Sequence, residues 1–179
     1  MSGLRIVAGE LRGRRIQTPP GLDTRPTSDR VRESLFAILG DAVEGASVLD
    51  LFAGSGALAI EALSRGAAKA VLVESDRRAA AVIDANLKAL GPLPAELIRA
   101  DALAWLGRHV GPFDIVFLDP PYSVAPNLAG RLSKALPAVL SPQSLIVSES
   151  DKRDPLELDL PLADERAYGN TRIAIHRVR

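Results

Sequence analysis

Apolar residues divide the chain into segments of two kinds. Short, nearly continuous apolar runs recur at Ser47–Phe52, Val71–Glu74, Glu96–Arg99, Phe113–Leu118 and Ser144–Glu149. That is the pattern of strands buried on both faces of a parallel sheet. Between them lie Ala57–Arg65, Arg77–Leu90, a short segment through Trp105 and Leu106, and Leu128–Leu140, which read as helices. Gly66 and Gly91-Pro92 stop the first two. A helix nearer the amino terminus, capped by Thr27 or Ser28, runs to about Leu39 with Val31, Leu35, Ile38 and Leu39 on one face, and ends at Gly40 or Gly45. Strand and helix then alternate, which predicts an α/β fold with a mostly parallel sheet. Leu156–Leu162 and Arg172–Val178, around a turn at Gly169-Asn170, add a closing antiparallel hairpin and bring the sheet to seven strands. Ahead of all this, Leu4–Ala8 and Arg14–Thr18 predict a small hairpin joined through Gly9-Glu10-Leu11-Arg12-Gly13.

Charge separates that first hairpin from the rest. The 179 residues carry no net charge, yet residues 1–32 hold seven arginines against Glu10, Asp23 and Asp29. The local balance is +4, so the remainder carries −4. Pro19-Pro20-Gly21 sets the hairpin apart from the rest of the chain, which predicts a basic arm over 1–22 and a main domain over 23–179. Arg5, Arg12, Arg14 and Arg15 can track phosphates, because guanidinium forks match phosphate geometry. The same charges would also suit a solvated edge hairpin that discourages aggregation.

Composition narrows the classes further. There are no cysteines, which excludes a disulfide framework, a zinc ribbon and thiol catalysis and is compatible with the cytoplasm. His109 and His176 are the only histidines, too few for a histidine-rich metal site. No apolar run approaches the roughly 18 residues needed to span a membrane, and the amino terminus shows no signal-peptide core.

Two stretches carry chemistry. Asp119-Pro120-Pro121-Tyr122 follows the run Phe113–Leu118; the prolines forbid further ladder pairing and stiffen the backbone. A carboxylate and an aromatic ring are thereby held at the carboxyl end of a strand, where open α/β sheets bind ligands. A plain strand terminator would look the same in isolation. Upstream, Asp50-Leu-Phe-Ala-Gly54-Ser-Gly56 leads from a strand into a helix, and its glycines allow close approach of a ligand beside the helix's positive end. Gly54, Gly56 and Ala59 fit G-x-G-x-x-G/A, a weak signal alone. Glu74, 24 residues after Asp50, is placed to accept both hydroxyls of a ribose. Asp101 follows the third strand and can receive an adenine amino group. Any one of these acids suits a solvated loop; three at successive strand ends beside a glycine loop favour a nucleoside-bearing cofactor.

Taken together, Asp50–Gly56, Glu74, Asp101 and Asp-Pro-Pro-Tyr resemble class I methyltransferases of the amino-methylating type. The arm narrows the resemblance. Arg5-Ile-Val-Ala-Gly9, Leu11-Arg-Gly-Arg-Arg15 and Thr24-Arg-Pro-Thr-Ser-Asp-Arg-Val-Arg-Glu33 are similar to the RsmD family, over essentially the whole chain. The resemblance implies a Rossmann-like seven-stranded fold, S-adenosylmethionine as cofactor, and transfer of its methyl group to the exocyclic N2 of one guanine in bacterial 16S ribosomal RNA. It implies Asp50, Gly54 and Gly56 at the methionine part, Glu74 at the ribose and Asp101 at the adenine, with Phe52, Ser75 and Ala102 also among the cofactor-binding residues. Arg30 is a candidate for the cofactor carboxylate, or an ordinary arm charge. Asp119, Pro120 and Tyr122 are the expected catalytic set, with no metal. The implied setting is a cytoplasmic, monomeric enzyme acting on 16S RNA, with the assembling 30S subunit as its partner and no membrane. An NAD-dependent dehydrogenase would leave Asp-Pro-Pro-Tyr unexplained. A DNA or protein-amide methylator, or a non-catalytic RNA-binding assembly factor, would also carry part of this pattern.

Overall fold

A computed structural model describes residues 3–21, 28–108, 111–121 and 125–178. The chain opens with β1 (Gly3–Arg5) and β2 (Arg15–Gln17), an antiparallel pair in which Leu4 faces Ile16. Helix α1 (Asp29–Leu39) comes next, its first turn capped by the Ser28 hydroxyl, which accepts from the Val31 amide at 3.3 Å. The alternating part comprises β3 (Ser47–Asp50), α2 (Ala57–Ser64), β4 (Lys69–Glu74), α3 (Arg77–Leu90), β5 (Ala95–Arg99), α4 (Ala102–Leu106), β6 (Phe113–Leu118) and α5 (Ala125–Ala135). It closes with β7 (Leu140–Asp151), β8 (Leu162–Tyr168) and β9 (Thr171–Arg177).

Seven of these strands form one sheet in the order β5-β4-β3-β6-β7-β9-β8. The first five are parallel to one another, and β9 and β8 complete the edge antiparallel. The chain builds outward from β3 through β4 to β5 and then returns to β6 on β3's other side. The reversal leaves a crevice beyond the carboxyl ends of β3 and β6, where doubly wound sheets bind ligands.

Both faces of the sheet are covered. Val48, Leu72, Ile115, Phe117, Leu145 and Val147 pack with Leu35 and Phe36 of α1, Ala59 and Ala62 of α2, and Ile83 of α3. Their strand neighbours Leu49, Val73, Val116, Leu118 and Ile146 pack with Trp105 of α4 and Leu132 of α5. Adjacent residues divide between two cores because strand side chains alternate, and burial of both explains the nearly continuous apolar runs.

The first hairpin is docked on α2 and α3 by buried polar groups. Ile6 and Ile16 pack against Ile60 and Leu90. The Glu61 carboxylate, only 1% exposed, accepts from the Val7 amide at 2.9 Å and the Ala8 amide at 3.0 Å. Because those amides serve Glu61, the first strand stops at Arg5, short of the expected Ala8. Asn86, 3% exposed, accepts from the Gln17 amide at 2.8 Å and donates to the Gln17 carbonyl at 2.9 Å. It also donates to the Ser55 carbonyl at 3.0 Å, so one side chain ties the hairpin to the glycine loop. Arg32 donates to the Arg5 carbonyl.

Three expected elements differ. Leu156–Leu162 is not a strand as expected: only its last residue, Leu162, joins the sheet. Leu156 and Leu158 are buried in the core shared with α4 and α5, but the segment is a strap whose Asp159 amide donates to the Ser133 hydroxyl at 2.9 Å. Pro155 and Pro161 bracket it and offer no ladder donors. The edge strand is instead Leu162–Tyr168, whose residues are mostly exposed and show no apolar alternation. The helix expected over Leu128–Leu140 ends at Ala135, where Leu136–Val139 tightens to a 3₁₀ turn containing Pro137. Leu140 already begins β7, so that strand is longer than the expected Ser144–Glu149.

Candidate cofactor and amine site

The loop from β3 to α2 has its shape imposed by sterics. Gly56 sits at φ 82° as the residue before α2, where a Cβ would come within 3.1 Å of Leu72 and 3.3 Å of Ile60. Only glycine meets both the left-handed backbone and the crowding. Across the crevice, Glu74 ends β4 and is fixed by two backbone donors. Its Oε2 accepts from the Gly54 amide at 2.9 Å and its Oε1 from the Asp76 amide at 2.8 Å. A carboxylate offers about four acceptor positions, so two remain for hydroxyls of a ligand. Asp76 in turn caps α3, accepting from the Arg78 and Ala79 amides.

Gly54, Glu74 and Asp76 open onto one cleft of about 580 Å³, within the roughly 300–1,000 Å³ of small-molecule sites. Phe52, Gly54, Glu74 and Ser75 line one end, and Asp119, Pro120, Pro121 and Glu149 the other. Pro19, Pro20 and Gly21 also line it, so the segment leaving the first hairpin forms part of its wall.

Asp50 lies beneath the loop at 1% exposure, its Oδ1 meeting no donor among the described residues. Burial, reinforced by the nearby Glu74 charge, pushes its carboxyl up to about 7; the Ala59 and Phe52 amides pull the other way. Neither Asp50 nor Gly56 is among the residues that line the cleft. The half-used Glu74 carboxylate in the cleft fits a ligand with a hydroxylated sugar.

The other expected site residues fall in four groups. Asp101 stands beyond β5, spending one oxygen on the Ala104 amide at 2.9 Å as the cap of α4, with Ala102 buried behind it. Neither lines the cleft. Arg30 is exposed on α1 and also lies outside that lining. Arg5, Arg12, Arg14 and Arg15 are exposed on the hairpin, and Arg14 donates to the Ala89 carbonyl at 2.7 Å. Tyr122 lies outside the described residues, as does Thr27. Glu149 is not among the expected residues, although it ends the apolar run Ser144–Glu149 just as Glu74 ends its own run. That same strand-end logic would find it. Asp76 is a second such residue, and its signal is an acid one residue before a helix. No cluster of metal-ligating side chains occurs among the described residues.

Comparison with known proteins places this geometry. The family described as "Conserved hypothetical protein 95" matches residues 4–177. Ribosomal RNA small subunit methyltransferase D of Haemophilus influenzae is 40% identical over 159 residues, which are 86% of this chain and 81% of that protein. The chain belongs to the RsmD family. The Escherichia coli protein of the same name is 44% identical over 119 residues, 66% of this chain. The match spans 60% of that relative's length. Among solved structures, the Thermus thermophilus 16S rRNA N2 G1207 methyltransferase, in complex with AdoMet and guanosine, superposes with a TM-score of 0.74. It is 24% identical and covers 99% of this chain and 50% of its own. The RsmD-family fold seen here is thus that of class I methyltransferases dependent on S-adenosylmethionine.

Proposed function

We propose that this protein transfers a methyl group from S-adenosylmethionine to the exocyclic N2 amine of a guanine in 16S ribosomal RNA. The observation that carries this reading is that Asp119-Pro120-Pro121 and the Glu74–Gly54 pair line a single cleft. The relatives' names supply the RNA class. When bound, S-adenosylmethionine supplies an electrophilic sulfonium methyl. Glu74 would hold its ribose hydroxyls, with Phe52, Gly54, Gly56 and Asp50 at the methionine part. Ser75 would lie beside the ribose, and Asp101 and Ala102 would serve the adenine. Arg30 would serve the carboxylate.

An aromatic amine is a poor nucleophile because its lone pair is delocalised into the ring. The Asp119 carboxylate and the Pro120 carbonyl each accept one amine N–H in this reading, favouring a pyramidal nitrogen with its lone pair aimed at the methyl group. Positioning of this kind supplies much of the acceleration in bimolecular transfers. Tyr122 would stack on the base, worth ~1–3 kcal/mol. A guanine must leave its stack to enter such a cleft, which favours a loop or bulge in the RNA. The exposed arginines Arg5, Arg12, Arg14 and Arg15 would bind phosphate around it, with the protein working as a monomer on the assembling small subunit. Mass spectrometry of ribosomal RNA from a deletion strain tests the reading. One N2-methylguanine should disappear from 16S RNA and return on complementation; an unchanged 16S profile refutes it.

A further inference from the structure

Strand order arranges the cleft's side chains in a row. Glu74 ends β4, Gly54 follows β3, Asp119 follows β6 and Glu149 lies on β7, in the left-to-right order of the sheet. The ribose acid is at one end of the row and Asp119, which receives the amine, is two strands away. A base presenting its amine to Asp119 must therefore extend toward β7. Leu118 pairs with Ser148 in the parallel register, about 4.8 Å apart as adjacent strands are, and the next residue along each segment, Asp119 and Glu149, lines the cleft. Glu149 is only 5% exposed, and its remaining surface opens into this cleft.

When ionised, two neighbouring carboxylates accept and do not donate. On its Watson–Crick edge guanine offers two adjacent donors, N1–H and the N2 amine. Adenine and cytosine place a lone pair beside their amine, which a second carboxylate would repel. We propose that Glu149 is a specificity-determining residue that accepts the N1–H of the target guanine while Asp119 accepts its N2 amine. This rests on the guanine-N2 reading and explains how that base is chosen. Glu149 makes contacts of its own, and the roughly four acceptor positions of a carboxylate accommodate a base N–H beside them.

The test uses 2-aminopurine, which keeps the N2 amine but bears a lone pair at N1. Small-subunit particles are assembled with guanine or 2-aminopurine at the methylated position, and kcat/KM is measured for the wild type and for Glu149→Gln. The wild type should prefer guanine by about 100-fold or more, as sites built for an N–H reject analogues lacking it. Glu149→Gln can donate to the lone pair, so the preference should shrink at least tenfold while affinity for S-adenosylhomocysteine stays within about threefold. An identical preference in both proteins overturns the proposal, as does parallel loss of cofactor affinity and turnover in Glu149→Gln. If the wild type methylates a position other than guanine N2, the underlying reading fails; if N2 is methylated with an unaltered preference, only the role of Glu149 fails.

Discussion

The two ends of the cleft are built from different materials. At the cofactor end the backbone does the shaping: Gly56 is locked by sterics, and Glu74 is pinned by the Gly54 and Asp76 amides. At the acceptor end the frame is a strand stopped by two prolines, and the proposed chemistry sits in the carboxylates of Asp119 and Glu149. A site shaped by backbone is hard to alter without moving its walls. A site carried by side chains can lose its chemistry and keep its shape. The two functions should therefore come apart under mutation.

The largest separation is expected for Asp119→Ala. Turnover should fall by about 10³-fold, since loss of one positioned polar group commonly removes 10²–10⁴, while calorimetry finds S-adenosylhomocysteine affinity within about threefold of wild type. Collapse of that affinity would show that the ends are not independent. Glu74→Ala should do the reverse. Losing charge-assisted hydrogen bonds of about 1.5–3 kcal/mol should weaken cofactor binding roughly 10- to 100-fold, with kcat at saturating cofactor changed less than tenfold.

A third variant tests a surface belonging to neither end. Arg5, Arg12 and Arg15 are changed to alanine together, leaving Arg14 on the Ala89 carbonyl. Each lost phosphate contact should reduce the salt slope of RNA binding by about 0.7, so a slope shallower by about 2 and an unmoved cofactor affinity are expected. An unchanged slope would put the RNA elsewhere.

A further effect is a pH dependence of stability. The Asp50 carboxyl stands near 7 when folded, against 3.8 in the unfolded chain. Between those values the folded protein keeps a proton that the unfolded chain has released. Stability should therefore decline as pH rises through that window and level off above it, by less than about 1.4 kcal/mol per pH unit. Asp50→Asn should flatten the curve in urea titrations from pH 5 to 9.

Much of this arrangement is legible in the sequence, and the gaps have physical causes. Helix α3 can be read at its observed bounds because an apolar stripe, Asp76 and Gly91 all agree on where it runs. Glu74 and Asp119 stand out because a carboxylate at the end of a buried strand has few structural reasons to be there. The strap at Leu156–Leu160 passes for a strand because alternate leucines point inward in either conformation. The true edge strand escapes notice because an exposed strand has no core face to mark it. Glu61 and Asn86 look like ordinary helix residues; their partners are backbone groups 53 to 69 positions away, which no local pattern announces.

That separation has a consequence for the order in which the protein takes shape during synthesis. The first hairpin is translated before Glu61, Ser64 and Asn86, yet its amides at Val7, Ala8, Leu11 and Gln17 depend on those residues for acceptors. At about 5–20 residues per second, Asn86 is made roughly 3–14 s after Gln17. For that interval the most basic segment of the chain leaves the ribosome with no folded surface to rest on. It emerges beside the class of RNA its arginines are proposed to grip.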